Sequence, residues 1–164
     1  MIMRVKKLIT ERFQDYKVPS MYIGCVSCDG KCCLEAGVPI EVCINDQWRK
    51  CDAFLIDDRK TIEAYLNDPI TAAVIFAGLE PFEQFDEVLE FTRILREEYH
   101  CDDDVVIYTG YNKAELTAQI KALSKYKNIV IKFGRYKPGI KSRFDPVLGV
   151  TLASENQYAE VISQ

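Results

Sequence analysis

The sequence has little histidine and no excess of positive charge. The only histidine among the 164 residues is His100, which nearly excludes a zinc site built from mixed cysteine and histidine ligands. The formal net charge is −4, so the chain offers no basic footprint to a phosphate backbone. We therefore expect no nucleic acid among its partners.

Long apolar segments are also missing. The longest apolar run, ITAAVIFAGL, is about half the length of a membrane span. The N-terminal MIMRVKKLITERF has two basic clusters but no apolar region of signal-peptide length. No internal repeat, low-complexity tract or linker interrupts the 164 residues, a length typical of one domain. We expect a single cytoplasmic domain over residues 1–164, without membrane contact.

Cysteine, by contrast, is abundant and clustered. Five of the seven cysteines lie between Ser20 and the end of a loop at about residues 25–43: Cys25, Cys28, Cys32, Cys33 and Cys43. Cytosolic thiols are kept reduced and the total is odd, so a disulfide framework is disfavoured. Clustered thiolates instead suit an iron–sulfur cluster or an all-cysteine zinc site. One such zinc set would be Cys25, Cys28, Cys43 and Cys51.

Two other roles are open for individual cysteines. Cys25-x-x-Cys28 has the spacing of a thioredoxin-like redox motif. Such a motif normally opens a helix, and Gly30 with the pair Cys32-Cys33 makes a poor helix start, which disfavours this role. Cys51 and Cys101 are typical of small buried hydrophobic residues.

Short apolar runs alternate with segments of helical periodicity. The predicted strands are 20–24, 72–77, 104–109, 128–133 and 149–153, and the predicted helices are 59–67, 82–96 and 113–126. Three of the strand runs lack clean alternation, which is typical of a sheet covered on both faces. Ile62 and Leu66 are expected to face inward, and Asn112 with Glu115 forms a predicted capping box. Strands separated by single helices indicate βα units around a mostly parallel sheet.

The unusual residues follow the predicted strands. The cysteine loop follows the first predicted strand. At the carboxyl ends of the second to fifth predicted strands lie, in order, GLEP (78–81), TGY (109–111), GR (134–135) and SENQ (154–157). Because α/β proteins build their sites at the carboxyl ends of strands, these segments predict one site.

These segments resemble motifs of one enzyme family. GLEP after a buried strand, together with the upstream cysteine loop, resembles the Gly-Gly-Glu-Pro motif of radical S-adenosylmethionine enzymes. Three further segments resemble motifs of the activating proteins of anaerobic ribonucleoside-triphosphate reductase. VVIYTGYNKAEL (105–116) resembles their Tyr-Thr-Gly-Tyr strand end, and IVIKFGRY (129–136) resembles the strand that ends in their Gly-Arg turn. GVTLASENQYAEVI (149–162) resembles their closing Ser-Asn-Gln segment. The chain is also similar to short radical-type 4Fe–4S single-cluster proteins, a sister group of those activating proteins.

The resemblance implies a 4Fe–4S cluster on three cysteines, with one iron free to bind S-adenosylmethionine. In this family the reduced cluster cleaves S-adenosylmethionine to methionine and a 5′-deoxyadenosyl radical, which in the activating proteins removes hydrogen from a glycine of a partner. We therefore expect an oxidoreductase that activates a glycyl-radical enzyme, such as anaerobic ribonucleotide reductase, and receives its electron from a small electron-transfer protein. The alternative is a non-catalytic iron–sulfur or zinc binding module on the same fold.

The fold class expected is α/β. We expect a mostly parallel sheet of about five strands, curved as a partial (βα) barrel of the radical S-adenosylmethionine type. Residues 82–96 and 113–126 are expected as helices on its outer face.

The cysteine loop departs from the family pattern C-x3-C-x2-C at the third cluster ligand. After Cys28 and Cys32 that pattern requires a third cysteine where this chain has Glu35, a hard oxygen ligand. Cys33 is adjacent to Cys32, and neighbouring side chains diverge. Cys43 follows a flexible segment and can fold back. We predict Cys28, Cys32 and Cys43 as ligands, with Cys33 and Cys25 in reserve.

The resemblance also implies residues that contact S-adenosylmethionine. They are Gly78, Glu80, Thr109, Gly110, Tyr111, Ser154 and Asn156. Glu80 would accept hydrogen bonds from the ammonium group of the methionine moiety, the alternative being a solvated acid at a helix start. Tyr111 has ordinary packing as its alternative. Arg135 is considered as a partner of the carboxylate, with a surface salt bridge as the alternative.

Overall fold

Four parallel strands form the centre of a six-stranded sheet in a computed structural model, which describes residues 1–164. In spatial order they are β3 (Ser20–Cys25), β5 (Ala73–Gly78), β6 (Asp104–Tyr108) and β7 (Ile129–Phe133). All residues of β3 and β7 are buried, which explains why these runs are apolar without alternation.

The remaining strands pair antiparallel. β2 (Lys7–Arg12) lies beside β3, and β10 (Tyr158–Ser163) lies beside β7, so both edges of the sheet are antiparallel. Two further pairs stand outside the sheet: β1 (Ile2–Val5) with β4 (Phe54–Asp57), and β8 (Arg143–Asp145) with β9 (Val150–Leu152).

The helices are short. They are α1 (Lys31–Ala36), α2 (Asp46–Arg49), α3 (Asp58–Asn67), α4 (Phe85–Arg93) and α5 (Thr117–Leu123). Short 3₁₀ turns, Pro81–Gln84 and Lys113–Leu116, lead into α4 and α5, and a π-helical turn, Ile94–Glu98, continues α4. The predicted capping box of Asn112 and Glu115 is present.

The predicted fold class is wrong. Four of the seven strand pairings are antiparallel, the six-stranded sheet is mixed, and no partial (βα) barrel is present. The reason is that the parallel run stops after four strands, since an antiparallel strand occupies each of its edges. The segment predicted as the fifth sheet strand, 149–153, instead pairs with β8 in a separate hairpin.

The core has two layers, one on each face of the sheet. The larger layer lies between the sheet and the helices, where Phe76 meets Phe91 edge-on at a ring-centroid distance of 5.4 Å. The smaller layer holds Tyr22, Ile75 and Val106 on the opposite face. In α3, Ile62 faces inward as predicted, but Leu66 is exposed and Tyr65 is buried instead. None of the helices is both long and apolar enough to span a bilayer.

Candidate functional site

The carboxyl ends of the four parallel strands meet at one edge of the sheet, and the cysteine loop leaves from this edge. Cys25 and Gly78, the last residues of β3 and β5, are register partners. Glycines with positive φ at both ends, Gly30 and Gly37, limit α1 to the six residues that carry Cys32 and Cys33. The loop is thus anchored beside the segments that follow β5, β6 and β7.

Glu80 is the polar centre of this edge. Its side chain, in a residue only 6% exposed, accepts hydrogen bonds from Phe82 N–H at 3.1 Å, Thr109 Oγ1 at 2.8 Å and Gly110 N–H at 2.9 Å. Burial raises the pKa of this carboxyl, while those three donors and the nearby Lys132 oppose the rise. Glu80 therefore caps the turn before α4 and also ties the end of β5 to the end of β6.

Two glycines allow close approach at this edge. Gly78 has φ +82°, and a Cβ there would lie 3.2 Å from Gly24 Cα. A Cβ on Gly110 would lie 2.9 Å from Cys32 Sγ, closer than real side chains come. The absent side chain of Gly110 therefore makes room for the thiol of Cys32 beside Glu80.

The loop cysteines divide by burial. Cys25 and Cys33 are buried, whereas Cys28, Cys32 and Cys43 are half-buried. Burial raises the pKa of Cys32 and of Cys33, and a charge on the neighbouring Cys43 thiol raises both further. Cys32 and Cys33 are adjacent in α1, and the charge of the Cys43 thiol acts on both.

The other thiols lie in different surroundings. Cys28 Sγ accepts a hydrogen bond from Gly30 N–H at 3.4 Å. Cys25 is 0% exposed in the larger core layer, as a small hydrophobic residue would be. Cys51 is exposed and Cys101 half-buried, so the expectation of buried hydrophobic positions is wrong for Cys51.

No three His, Cys, Asp or Glu side chains lie close enough together to hold a single metal ion. A zinc site of the all-cysteine kind is therefore not preformed. Cluster ligands have a different requirement, because each thiolate binds a different iron and the sulfurs need not converge on one point.

Comparison with known families identifies the family of this chain. A family model, the 4Fe-4S single cluster domain, matches residues 26–157. The chain belongs to the family of 4Fe-4S single cluster domains. The matched residues include four loop cysteines and the ends of β5, β6 and β7. Neither the curated proteins nor the solved structures give a significant match.

The donor set of this 4Fe-4S single cluster domain suits the cluster that defines the family. Thiolates are the usual ligands of such clusters, and the three half-buried cysteines of the loop are the three predicted as ligands. The thiol of Cys32 occupies the space above Gly110, which places it at the strand ends. Cys28, Cys32 and Cys43 would thus hold the cluster at the carboxyl edge of the sheet.

The remaining predicted residues line the same edge. The Tyr111 hydroxyl donates to Asp29 Oδ2 at 3.0 Å, and Tyr111 N–H donates to Thr109 Oγ1 at 2.9 Å. Ser154 is fully buried and its Oγ accepts from Lys137 N–H at 3.3 Å. Asn156 Nδ2 donates to the carbonyl of Arg135 at 2.8 Å. The last two residues support the turn after β7.

Arg135 is paired with a carboxylate of the chain, as the salt-bridge alternative expected, but it is not at the surface. Its side chain is 5% exposed, and the guanidinium donates to both carboxylate oxygens of Glu115 at 2.9 Å. It is therefore a buried, bidentate partner of Glu115, while its Nε has no hydrogen-bond partner within the chain. A contact of Arg135 with the carboxylate of a ligand stays a prediction.

Sequence reasoning missed one charged residue at this edge, Lys132. It is 7% exposed, and its ammonium group donates to the Gly134 carbonyl at 3.3 Å. Burial lowers its pKa to about 8, while the charges of Cys32 and Glu80 oppose the change. A lone lysine in the otherwise apolar run NIVIKF was the signal available in the sequence.

Proposed function

We propose that this 4Fe-4S single cluster domain binds S-adenosylmethionine beside its cluster and cleaves it reductively. The observation that carries the proposal is the position of Glu80, a buried carboxylate hydrogen-bonded to Gly110, whose Cα lies beneath the thiol of Cys32. A ligand with an ammonium and a sulfonium group would meet a negatively charged, largely buried carboxylate next to Cys32, a predicted cluster ligand.

Glu80 retains acceptor capacity for this role. Its Oε1 accepts two hydrogen bonds, from Phe82 N–H and Thr109 Oγ1, whereas Oε2 accepts only that of Gly110. A carboxylate oxygen offers two lone pairs, so Oε2 has one left for the ammonium group of the methionine moiety. The three existing bonds hold the carboxylate in place before the ligand arrives.

The other residues of the edge would contact the ligand and keep water away from it. Gly78 and Gly110 allow the ligand to approach the backbone, and Tyr111 lies at the rim toward the cysteine loop. The cluster, when bound, would supply the electron that breaks the sulfonium bond to the 5′ carbon, giving methionine and a 5′-deoxyadenosyl radical. The surrounding protein would shield that radical from water and side reactions.

The partner proposed is a glycyl-radical enzyme of the anaerobic ribonucleotide reductase type. A protein substrate would cover the carboxyl edge of the sheet when it binds. The radical takes a hydrogen atom from a glycine Cα, which yields 5′-deoxyadenosine and a glycyl radical. A small electron-transfer protein would supply the electron.

The second candidate is a non-catalytic iron–sulfur module. Two observations favour it: Glu35 stands where the family pattern has a cysteine, and Glu80 is already hydrogen-bonded three times within the chain.

Calorimetry with the cluster-loaded protein tests the site. Glu80→Gln removes the charge and sets an amide against the Gly110 N–H, so S-adenosylmethionine should bind about ten- to a hundredfold more weakly, as for a lost charge-assisted hydrogen bond of roughly 1.5–3 kcal/mol. Iron content should be unchanged. The matched control is Glu83→Gln, a nearby carboxylate that contacts Ser27 Oγ at 2.7 Å. Equal affinities of wild type and Glu80→Gln would reduce Glu80 to a helix cap.

A further inference from the structure

The residues on both sides of Cys32 are tied to the ends of β6 and β7 by charged and aromatic side chains. We call this set the Arg135 network. It comprises three residues of the cysteine loop and three residues that follow the strands: Asp29, Lys31, Glu35, Tyr111, Glu115 and Arg135.

Arg135 is the fixed point of the network. Its buried guanidinium forms the bidentate pair with Glu115, which also accepts a hydrogen bond from Asn112 N–H at 2.7 Å as part of the capping box. The hydrogen bonds from Arg135 and Asn112 lower the pKa of Glu115 to about 2, so the pair stays charged at every physiological pH. The start of the helical segment that leads into α5 therefore sets the position of Arg135.

Glu35 connects α1 to this fixed point. Its Oε2 lies 3.1 Å from Arg135 Nε, an ion pair whose angle does not form a hydrogen bond. Glu35 is three residues after Cys32 in α1, so the two side chains lie on the same face of the helix. Cys32, Glu35 and Arg135 accordingly line one cavity of about 270 Å³.

A second link holds the other side of Cys32. Tyr111 donates its hydroxyl proton to Asp29, and the ammonium group of Lys31 lies 5.2 Å from the centre of the Tyr111 ring. Lys31 also lies 3.8 Å from a carboxylate oxygen of Glu115. The chain is thus held at residues 29, 31 and 35, on both sides of the predicted ligand.

We infer that the Arg135 network positions the cysteine loop for cluster binding, with Glu35 acting through Arg135 and not as a ligand. The carboxylate at the position of the expected third cysteine is paired with the Nε of a buried cation, and a metal ligand in that place would lose this pairing. Arg135 and Glu35 are positioning residues, and their effect is to oppose opening of the loop and loss of iron. The inference needs the cluster but not the radical chemistry.

The test is the rate at which iron passes from the anaerobically reconstituted protein to a chelator. Glu35→Gln keeps the shape and removes the charge, and we expect iron release about three- to fivefold faster, in proportion to one partly exposed ion pair. The matched control is Glu97→Gln, because Glu97 pairs with Arg93 at 3.3 Å and is 54% exposed, against 56% for Glu35, but lies on a distant helix. Arg135→Lys keeps the charge without the planar fork and should also release iron faster.

The thermal midpoint of the metal-free proteins separates positioning from general stability. The inference holds if Glu35→Gln releases iron faster while its metal-free midpoint equals that of Glu97→Gln. It is overturned if Glu35→Gln and Glu97→Gln release iron at the same rate, or if the Arg135→Lys effect is matched by unfolding of the metal-free protein. No S-adenosylmethionine is present in this assay, so a failed proposal of radical chemistry leaves its outcome unaffected.

Discussion

At the scale of single residues, the site depends on which thiols are accessible and on what lies next to them. The half-buried state of Cys28, Cys32 and Cys43 makes them available, while the buried thiol of Cys33 is directed to the Ile40 carbonyl at 3.9 Å. The assignment of the third ligand to Cys43 stays a prediction that substitution can test.

Alanine at Cys28, Cys32 or Cys43 should abolish the visible absorption of the cluster and lower bound iron after anaerobic reconstitution. Each change removes one of three thiolates on which the cluster depends. The control is Cys101→Ala, which lies outside the loop and should keep full iron. Full iron in Cys43→Ala combined with its loss in Cys33→Ala would transfer the third ligand to Cys33.

Gly110→Ala should impair the site without unfolding the protein. The added Cβ would lie 2.9 Å from Cys32 Sγ, so that thiol or the end of β6 must shift. Overpacking costs about 1–3 kcal/mol, less than a typical domain stability of about 5–15 kcal/mol. Iron content per chain after reconstitution should fall while the circular dichroism of the metal-free protein is retained. Unchanged iron content would show that Cys32 is not held against Gly110.

At the scale of elements, the first residue of α3 carries an unfavourable charge. Asp58 is 1% exposed and its Oδ1 has no hydrogen-bond partner. Burial raises its pKa from 3.8 to about 6, with the charges of Asp57, Glu90 and Glu87 adding to the rise and the amino terminus opposing it. The folded state therefore holds a proton that the unfolded chain has already lost at pH 5.

Asp58→Asn should stabilise the metal-free protein at pH 7. Because the folded pKa is raised, the contribution of Asp58 to stability is present below about pH 4 and is lost as the pH rises through about 6. Asparagine does not titrate, so its advantage over the wild type should appear at pH 7 and shrink toward pH 4. Urea unfolding of both proteins across this range measures it. An advantage that is independent of pH would contradict the assigned cause.

The elements also show what the sequence could and could not predict. The central strands follow from their buried apolar runs, and β5 and β7 begin and end within one residue of the predicted bounds. The edge strand β10 was missed because its one fully buried position gives no clear alternation. The prediction of a barrel was wrong because the antiparallel edge strands of the sheet were not recognised.

The candidate site also has a part that the sequence could predict and a part that it could not. The meeting of Glu80, Gly110 and Cys32 was predictable, because the carboxyl ends of neighbouring parallel strands share one edge. The pairing of Arg135 with both Glu115 and Glu35 was not, because it joins residues that are distant in sequence through the docking of a loop.

At the scale of the whole molecule, the cysteine loop presents exposed apolar side chains at the open edge of the sheet. Leu34, Val42 and Ile44 are 78%, 52% and 87% exposed. The loop after β7 adds three exposed basic residues, Lys137, Lys141 and Arg143, whereas its Arg135 is buried. The proposed partner would meet this mixed surface.

Activation of that partner has a specific spectroscopic signature. Reduced protein mixed with S-adenosylmethionine and the glycyl-radical reductase from the same cell should give a glycine-centred doublet in the electron paramagnetic resonance spectrum. Protein with Cys32→Ala, which should lack the cluster, is the control and should give none. Cleavage of S-adenosylmethionine without a doublet would mean a radical enzyme with another substrate.

The most direct test of the central claim is the cleavage itself. The protein is reconstituted without oxygen, reduced with dithionite and supplied with S-adenosylmethionine, and methionine and 5′-deoxyadenosine are quantified. We expect both products in equal amounts, with little of either from Glu80→Gln at a ligand concentration that saturates only the wild type. An intact, reduced cluster that yields neither product would contradict this expectation and would identify the domain as a non-catalytic iron–sulfur module.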